Sequence, residues 1–185
     1  MNNATFFFNQ PKNEPVFSYA KGSKERELLS KELEKQYNQC IEIPIIINGK
    51  EIRTGNVSEV VMPTEHSHVL AKFHKADKET VQKAIEAALE ARKKWENVHW
   101  IDRCSIMLRA AELLAGKYRY VINAATMLGQ GKNPFQAEID SACETIDFLR
   151  FNVHYASKIY AQQPLSDNSA INRLEYRGLE GFVYA

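Results

Sequence analysis

Between Met127 and Tyr155 the sequence reads MLGQGKNPFQAEIDSACETIDFLRFNVHY, a glycine-broken stop leading straight into one long helical pattern. Gly129 and Gly131 are placed to end a preceding helix, Asn133 to cap the next, Pro134 to occupy its first turn, and Gln136 to complete a capping box. The spacing predicts a helix from Pro134 to about Gln162. At about 100° per residue, Ile139, Ala142, Cys143, Ile146 and Val153 gather on one side, with Ala137, Phe148, Phe151 and Tyr155 nearly opposite. Glu144 falls in the second group. A helix apolar on two faces is expected to lie buried between layers, where a carboxylate needs an ion pair, a hydrogen bond or a ligand. Glu144 is therefore the residue to account for.

The rest of the chain bounds the partners such a helix can have. With 185 residues and 44% hydrophobic content, the chain can bury a sizeable core. Lys plus Arg number 24 against 23 Asp plus Glu, a net charge of +1, so charge alone points to neither nucleic acid nor a membrane surface. No apolar run has the length of a membrane span, and the MNNATFFFNQPKNEP start lacks the marks of a signal or transit peptide. Small-molecule or protein partners remain, and the expectation is a soluble, untargeted, cytoplasmic protein. Three scattered cysteines, Cys40, Cys104 and Cys143, without metal or disulfide spacing, agree with a reducing compartment.

Residues Met1 to Tyr19 read as irregular, with Pro11 and Pro15 breaking any helix. Ser23 caps a docking helix from Lys24 to about Gln39, with Leu28, Leu29, Leu33 and Tyr37 as its apolar stripe. Ile43 to Ile47, then Asn48-Gly49, then Glu51 to Thr54, is a hairpin signal, because Asn-Gly supplies the positive φ angles of a type I′ turn. Strands are predicted around Val57 to Met62 and Val69 to Phe73. Asp77 caps a helix to about Glu96, Asp102 opens a third, Gly116 interrupts it, and Tyr118 to Leu128 resumes. Ala170 to Arg177 alternates like a two-sided strand, and Phe182 to Ala185 begins an apolar one with nothing downstream to pair with. The chain is on that ground expected to be a fragment.

Several chemical signals have bland explanations. Cys143 has packing neighbours rather than an activating base, and Cys40 and Cys104 likewise read as unreactive thiols. His66-x-His68 lacks further ligands for a metal and reads as a solvated loop. Gly129-Gln130-Gly131-Lys132 lacks Walker A spacing and reads as a helix stop. The lysines lie mostly in charged runs such as Arg92-Lys93-Lys94, where nothing would depress a pKa.

Five segments in this order carry a resemblance: Asn13-Glu14-Pro15; Ala76-Asp77-Lys78 with Ala84-Ile85-Glu86-Ala87-Ala88; Gly129-Gln130-Gly131-Lys132; Gln136-Ala137-Glu138-Ile139-Asp140; and Tyr176 to Phe182, YRGLEGF. Collinear from about Asn13 to Ala185, they resemble the N-terminal part of the aldehyde dehydrogenase superfamily. More narrowly, they are similar to the branch that oxidises glutamate γ-semialdehyde to glutamate in proline catabolism. The resemblance implies an α+β, mainly helical fold: an N-terminal extension and docking helix over residues 1–40, a hairpin plus helical part over 41–163, and strands over 164–185 leading into cofactor and catalytic regions.

It further implies NAD as cofactor, bound by parts of such an enzyme outside this chain. Homo-oligomer formation through the strand at 170–177 is implied as well. The family's nucleophilic Cys, general-base Glu and dinucleotide fold are not matched here, so the chain by itself is expected to be inactive and no catalytic residue is assigned. The substrate-binding acid of the family falls at Glu144, with Phe148 beside it in the aromatic wall. The residues leave open whether Glu144 or Glu138 faces the substrate, and a structural ion pair is the competing role for Glu144. A freestanding, non-catalytic helical interaction module is the alternative for the whole chain.

Overall fold

The computed structural model describes residues 7–185; residues 1–6 of the expected irregular start, and the Phe6 end of its three-phenylalanine run, lie outside the described residues. Residues 7–22 form neither helix nor strand and run as a strap to Ser23, whose side chain accepts from Arg26 N–H and starts α1 (Lys24–Tyr37). Leu29 is the buried member of the α1 stripe, packed with Tyr19 and Ala124. Tyr37, at the end of that stripe, stacks on His68 at 4.0 Å instead.

The β region is more divided than the hairpin signal suggests. Ile45–Ile47 (β2) and Lys50–Ile52 (β3) pair antiparallel around Asn48 and Gly49, whose φ values of +50° and +72° make the type I′ turn. Ile41–Ile43 (β1), by contrast, pairs in parallel with β5 (Glu65–His74), which also pairs antiparallel with β4 (Val57–Met62). Pro44 explains the split, since it has no N–H to donate and breaks the ladder between the two sheets. β5 is longer than predicted. His66 and His68 therefore sit on a strand rather than in a solvated loop, and His68 Nε2 bonds Tyr37 O at 2.8 Å.

Asp77 accepts from Thr80 N–H at 2.8 Å and starts α2 (Lys78–Trp95). The third helix, α3 (Trp100–Ala115), begins two residues before Asp102, with His99 as its cap. Arg103 then ties the junction together, donating to Trp95 O at 3.2 Å and Val98 O at 2.8 Å. Both carbonyls lie at the α2–α3 junction, and Trp95 O also accepts from Val98 N–H at 3.1 Å. After Gly116 comes α4 (Arg119–Gln130), ended by Gly131 at φ +68°.

The long helix is not one regular helix. Asn133 and Gln136 form the reciprocal capping box of α5 (Pro134–Ala137), but Glu138–Cys143 is a π turn, and α6 (Glu144–Ala161) follows it. The wheel assumes a constant 100°, and the π turn breaks it. Ala137 is thus fully buried with Ala142 and Ile146, whereas Phe148 and Tyr155 are 63% and 50% exposed. The second apolar face is open to solvent in this chain, and the expected burial between two layers does not hold. The core sits where α3, α4 and α6 meet, around Ala111, Ala142 and Ile146. Burying a side chain the size of Ile146 contributes about 1.5–3 kcal/mol.

Residues 163–185 form no strand. The alternation at 170–177 calls for a ladder that the described residues do not provide; the segment is held instead by Gln163, whose side chain accepts from Leu174 N–H at 2.8 Å, and by Tyr176 packed edge-on to Tyr160 at 5.3 Å. Period-two patterning specifies faces, not a partner. No helix among the described residues is long and apolar enough to cross a membrane.

Candidate functional site

Helical spacing places Glu144, Phe148, Phe151 and Tyr155 along one side of α6, at i, i+4, i+7 and i+11. Glu144 is exposed, and among the described residues no hydrogen bond or ion pair engages its carboxylate. Further along the same side, the Phe151 and Tyr155 rings lie 6.3 Å apart. The face thus offers one free negative charge at the end of an aromatic strip. Such a surface suits a cationic head attached to a short apolar stem.

Glu138 is the opposite case. Its side chain is fully buried, and both oxygens are occupied: Phe17 N–H at 2.8 Å and the Arg119 guanidinium on Oε1, Tyr19 O–H at 2.6 Å and Asn123 Nδ2 at 2.8 Å on Oε2. Arg119 passes the charge on. It also donates to Glu14 and, at 2.6 Å, to Pro15 O, and its guanidinium lies 3.9 Å from the Phe17 ring centroid. Arg150 closes the chain of alternating charges on the other Glu14 oxygen. Two cations and two anions make the cluster neutral, which is what lets it stay out of water.

The protonation states follow from these contacts. Burial pushes the Glu138 carboxyl up, but the bonds from Arg119, Tyr19 and Phe17 outweigh it and hold it below the usual carboxylate range. Burial, then the bond to Glu138, raises the Tyr19 hydroxyl. Burial would weaken the Arg119 charge, yet the bonds to Glu138 and Glu14 raise its pKa overall. Burial and the nearby Glu138 charge push the Cys143 thiol up to about 11. Its Sγ also lies 3.5 Å from Arg119 Nη2 and 3.7 Å from Pro15 O, so the thiol borders the charged cluster as well as its apolar neighbours.

The structure therefore separates the two acids that the sequence left open: Glu138 is consumed by its own scaffold, and Glu144 is free. Arg119, Tyr19, Glu14 and Arg150 went unrecognised in the sequence. The one visible trace was an arginine between two tyrosines at the start of an amphipathic helix, together with the Asn13-Glu14-Pro15 and Gln136 to Asp140 motifs.

Two other constellations are accounted for locally. Lys132 is paired with Asp140 at 2.7 Å and Gly131 serves as a helix stop, so this turn has neither the free lysine nor the open helix start of a phosphate cradle. The residues here do not fit a dinucleotide, and no chemistry is assigned through one. Among the described residues no group of three or more His, Cys, Asp or Glu is placed to hold a metal ion.

Residues 51–184 match the aldehyde dehydrogenase family. The delta-1-pyrroline-5-carboxylate dehydrogenase of Agaricus bisporus is 50% identical over 184 residues, covering 98% of this chain and 34% of that protein. The human mitochondrial protein of the same name is 48% identical over 173 residues, covering 94% and 31%. The crystal structure of delta-pyrroline-5-carboxylate dehydrogenase from Mycobacterium tuberculosis bound with NAD superposes with a TM-score of 0.91 at 42% identity, covering 95% of this chain and 33% of that one. The chain spans about a third of the length of these relatives. An α+β framework, the collinear motifs and a match over most of the residues agree: the chain belongs to the aldehyde dehydrogenase family.

Proposed function

We propose that this chain is the N-terminal part of an NAD-dependent dehydrogenase that oxidises glutamate γ-semialdehyde, in equilibrium with 1-pyrroline-5-carboxylate, to glutamate in proline catabolism. Its own contribution is the outward face of α6. Glu144 meets the α-ammonium group of the substrate, and Phe148, with Phe151 and Tyr155, forms the wall along its carbon chain. The observation that carries this reading is the free, exposed Glu144 carboxylate on an aromatic strip, in a scaffold whose buried acid, Glu138, is fully engaged. The relatives' names supply the substrate class.

NAD belongs to the remainder of such an enzyme; the mycobacterial relative was crystallised with NAD bound, and this chain matches about a third of it. Subunit pairing through residues 170–177 forms part of the same reading, supported by an alternating segment that has no ladder of its own. So does a cytoplasmic location, supported by three free cysteines; the Dictyostelium and human relatives are named mitochondrial, and cell fractionation separates the two compartments.

The test is Glu144→Ala in the full-length enzyme. The loss in kcat/KM for the amino-bearing substrate should be on the order of 2 kcal/mol, with little change for a simple aliphatic aldehyde, since only the former offers an ammonium. Equal losses for both substrates, with a lowered Tm, overturn the reading.

A further inference from the structure

The phase of α6 is a choice that the chain has to make. In an unbroken α-helix Ala137 and Ala142 would point about 140° apart, yet both are fully buried. The extra residue taken up by the π turn reconciles them. The turn closes at Glu144, whose backbone N–H donates to Ile139 O, five residues back. Without that turn, everything from Glu144 onward would swing by about 100° relative to Ala137. The Glu144–Phe148–Tyr155 strip would then lie on another side of the molecule.

What holds the turn is the carboxylate at its first residue. The donors on Glu138 come from two separate elements: Phe17 and Tyr19 on the strap, Arg119 and Asn123 on α4. Directional bonds from both leave the carboxylate one position. Ser141, in mid-turn, adds a second tie to α4 through Thr126 Oγ1 at 2.9 Å. Beyond the turn the same strap grips again, Asn13 Nδ2 and Glu14 N–H donating to Asp147 at 2.7 and 2.8 Å. The two grips bracket Glu144.

We infer that Glu138 is a positioning residue for Glu144: by anchoring the π turn against Arg119, Asn123 and Tyr19, it sets the rotation of α6 and so the direction in which the Glu144 carboxylate is presented to substrate. This rests on the reading of Glu144 as the ammonium contact. Glu138 itself touches no substrate.

The experiment measures kcat/KM of the full-length enzyme for 1-pyrroline-5-carboxylate and for propanal in four proteins: unmodified, Glu138→Gln, Glu144→Ala and the double variant. Glu138→Gln should cost about tenfold on the amino-bearing substrate, mostly through KM, and less than about threefold on propanal. In the Glu144→Ala background the same change should no longer alter the ratio of the two substrates. Equal losses on both substrates, or an undiminished effect in the double variant, would overturn the inference and leave Glu138 a purely structural residue. Absence of discrimination in Glu144→Ala alone would sink the substrate-contact reading first, and the inference with it. Should Glu138→Gln yield no folded enzyme, Tyr19→Phe removes one donor, and the same ratio decides: a shift of several-fold supports the inference, an unchanged ratio overturns it.

Discussion

Arg119 and Glu138 face each other with 1% and 0% of their side chains exposed, an ion pair wholly inside the protein. A pair in that position adds little over a well-packed apolar pair, but breaking it strands a charge. Arg119→Met should therefore destabilise the chain by about 3–5 kcal/mol in urea denaturation. A loss under about 1 kcal/mol would mean that water reaches Glu138, contrary to its burial.

The same pair predicts a direction in pH. Glu138 binds its proton less readily folded than unfolded, so protons favour the unfolded chain. Its stabilisation is complete above the ordinary value of 4.5 and drains away as pH falls below it toward the folded pKa. The urea midpoint of the unmodified chain should fall more steeply below pH 4.5 than that of Glu138→Gln. Parallel curves would refute this.

Two neighbouring glycines should respond with opposite signs. Gly131 has φ +68°, and a Cβ there would meet only Thr64 Cγ2 at 3.8 Å and Pro63 Cγ at 3.9 Å, so Gly131→Ala should cost about 1–2 kcal/mol for backbone strain alone. Gly129 lies within α4 with nothing within 4 Å of its would-be Cβ. Gly129→Ala should stabilise by about 0.5–1 kcal/mol. Thermal unfolding of the two variants checks both signs.

The thiols should differ sharply in reactivity. Cys40 is exposed, whereas burial raises the thiols of Cys104 and Cys143, the latter to about 11. Under native conditions a thiol reagent should label Cys40 first and leave Cys143 untouched until denaturant is added. Consistent with this, the chain by itself should form no NADH from 1-pyrroline-5-carboxylate. Measurable turnover would contradict the assignment of all three cysteines as non-nucleophilic.

Helix starts were the most legible part of the sequence. Ser23, Asp77 and the Asn133–Gln136 pair each satisfy orphan N–H groups within three residues, so the code is local and the structure repeats it. Asn48-Gly49 was legible for the same reason. The partner of Ile41–Ile43 was not, because a short apolar run announces a strand and says nothing of which edge will receive it. The π turn escaped because no residue type encodes it: tertiary bonds to Glu138 produce it, from residues as far away as Phe17. Glu144 was legible as a carboxylate at helical spacing from Phe148, Phe151 and Tyr155, but its surroundings were misjudged. The wheel placed buried Ala137 on that side and so made an open face look enclosed.

The strap's bonds to Glu138 and Asp147 span 119 to 134 residues of the chain. On a ribosome adding about 5–20 residues per second, Tyr19 is added roughly 6–24 s before Glu138. Throughout that interval Phe17 and Tyr19 have no acceptor, and α4 appears with Arg119 still lacking its main counter-ion. The N-terminal segment is therefore the first part of this chain made and among the last to lock, which leaves it exposed to chaperones and proteases for most of the time its own helices take to appear.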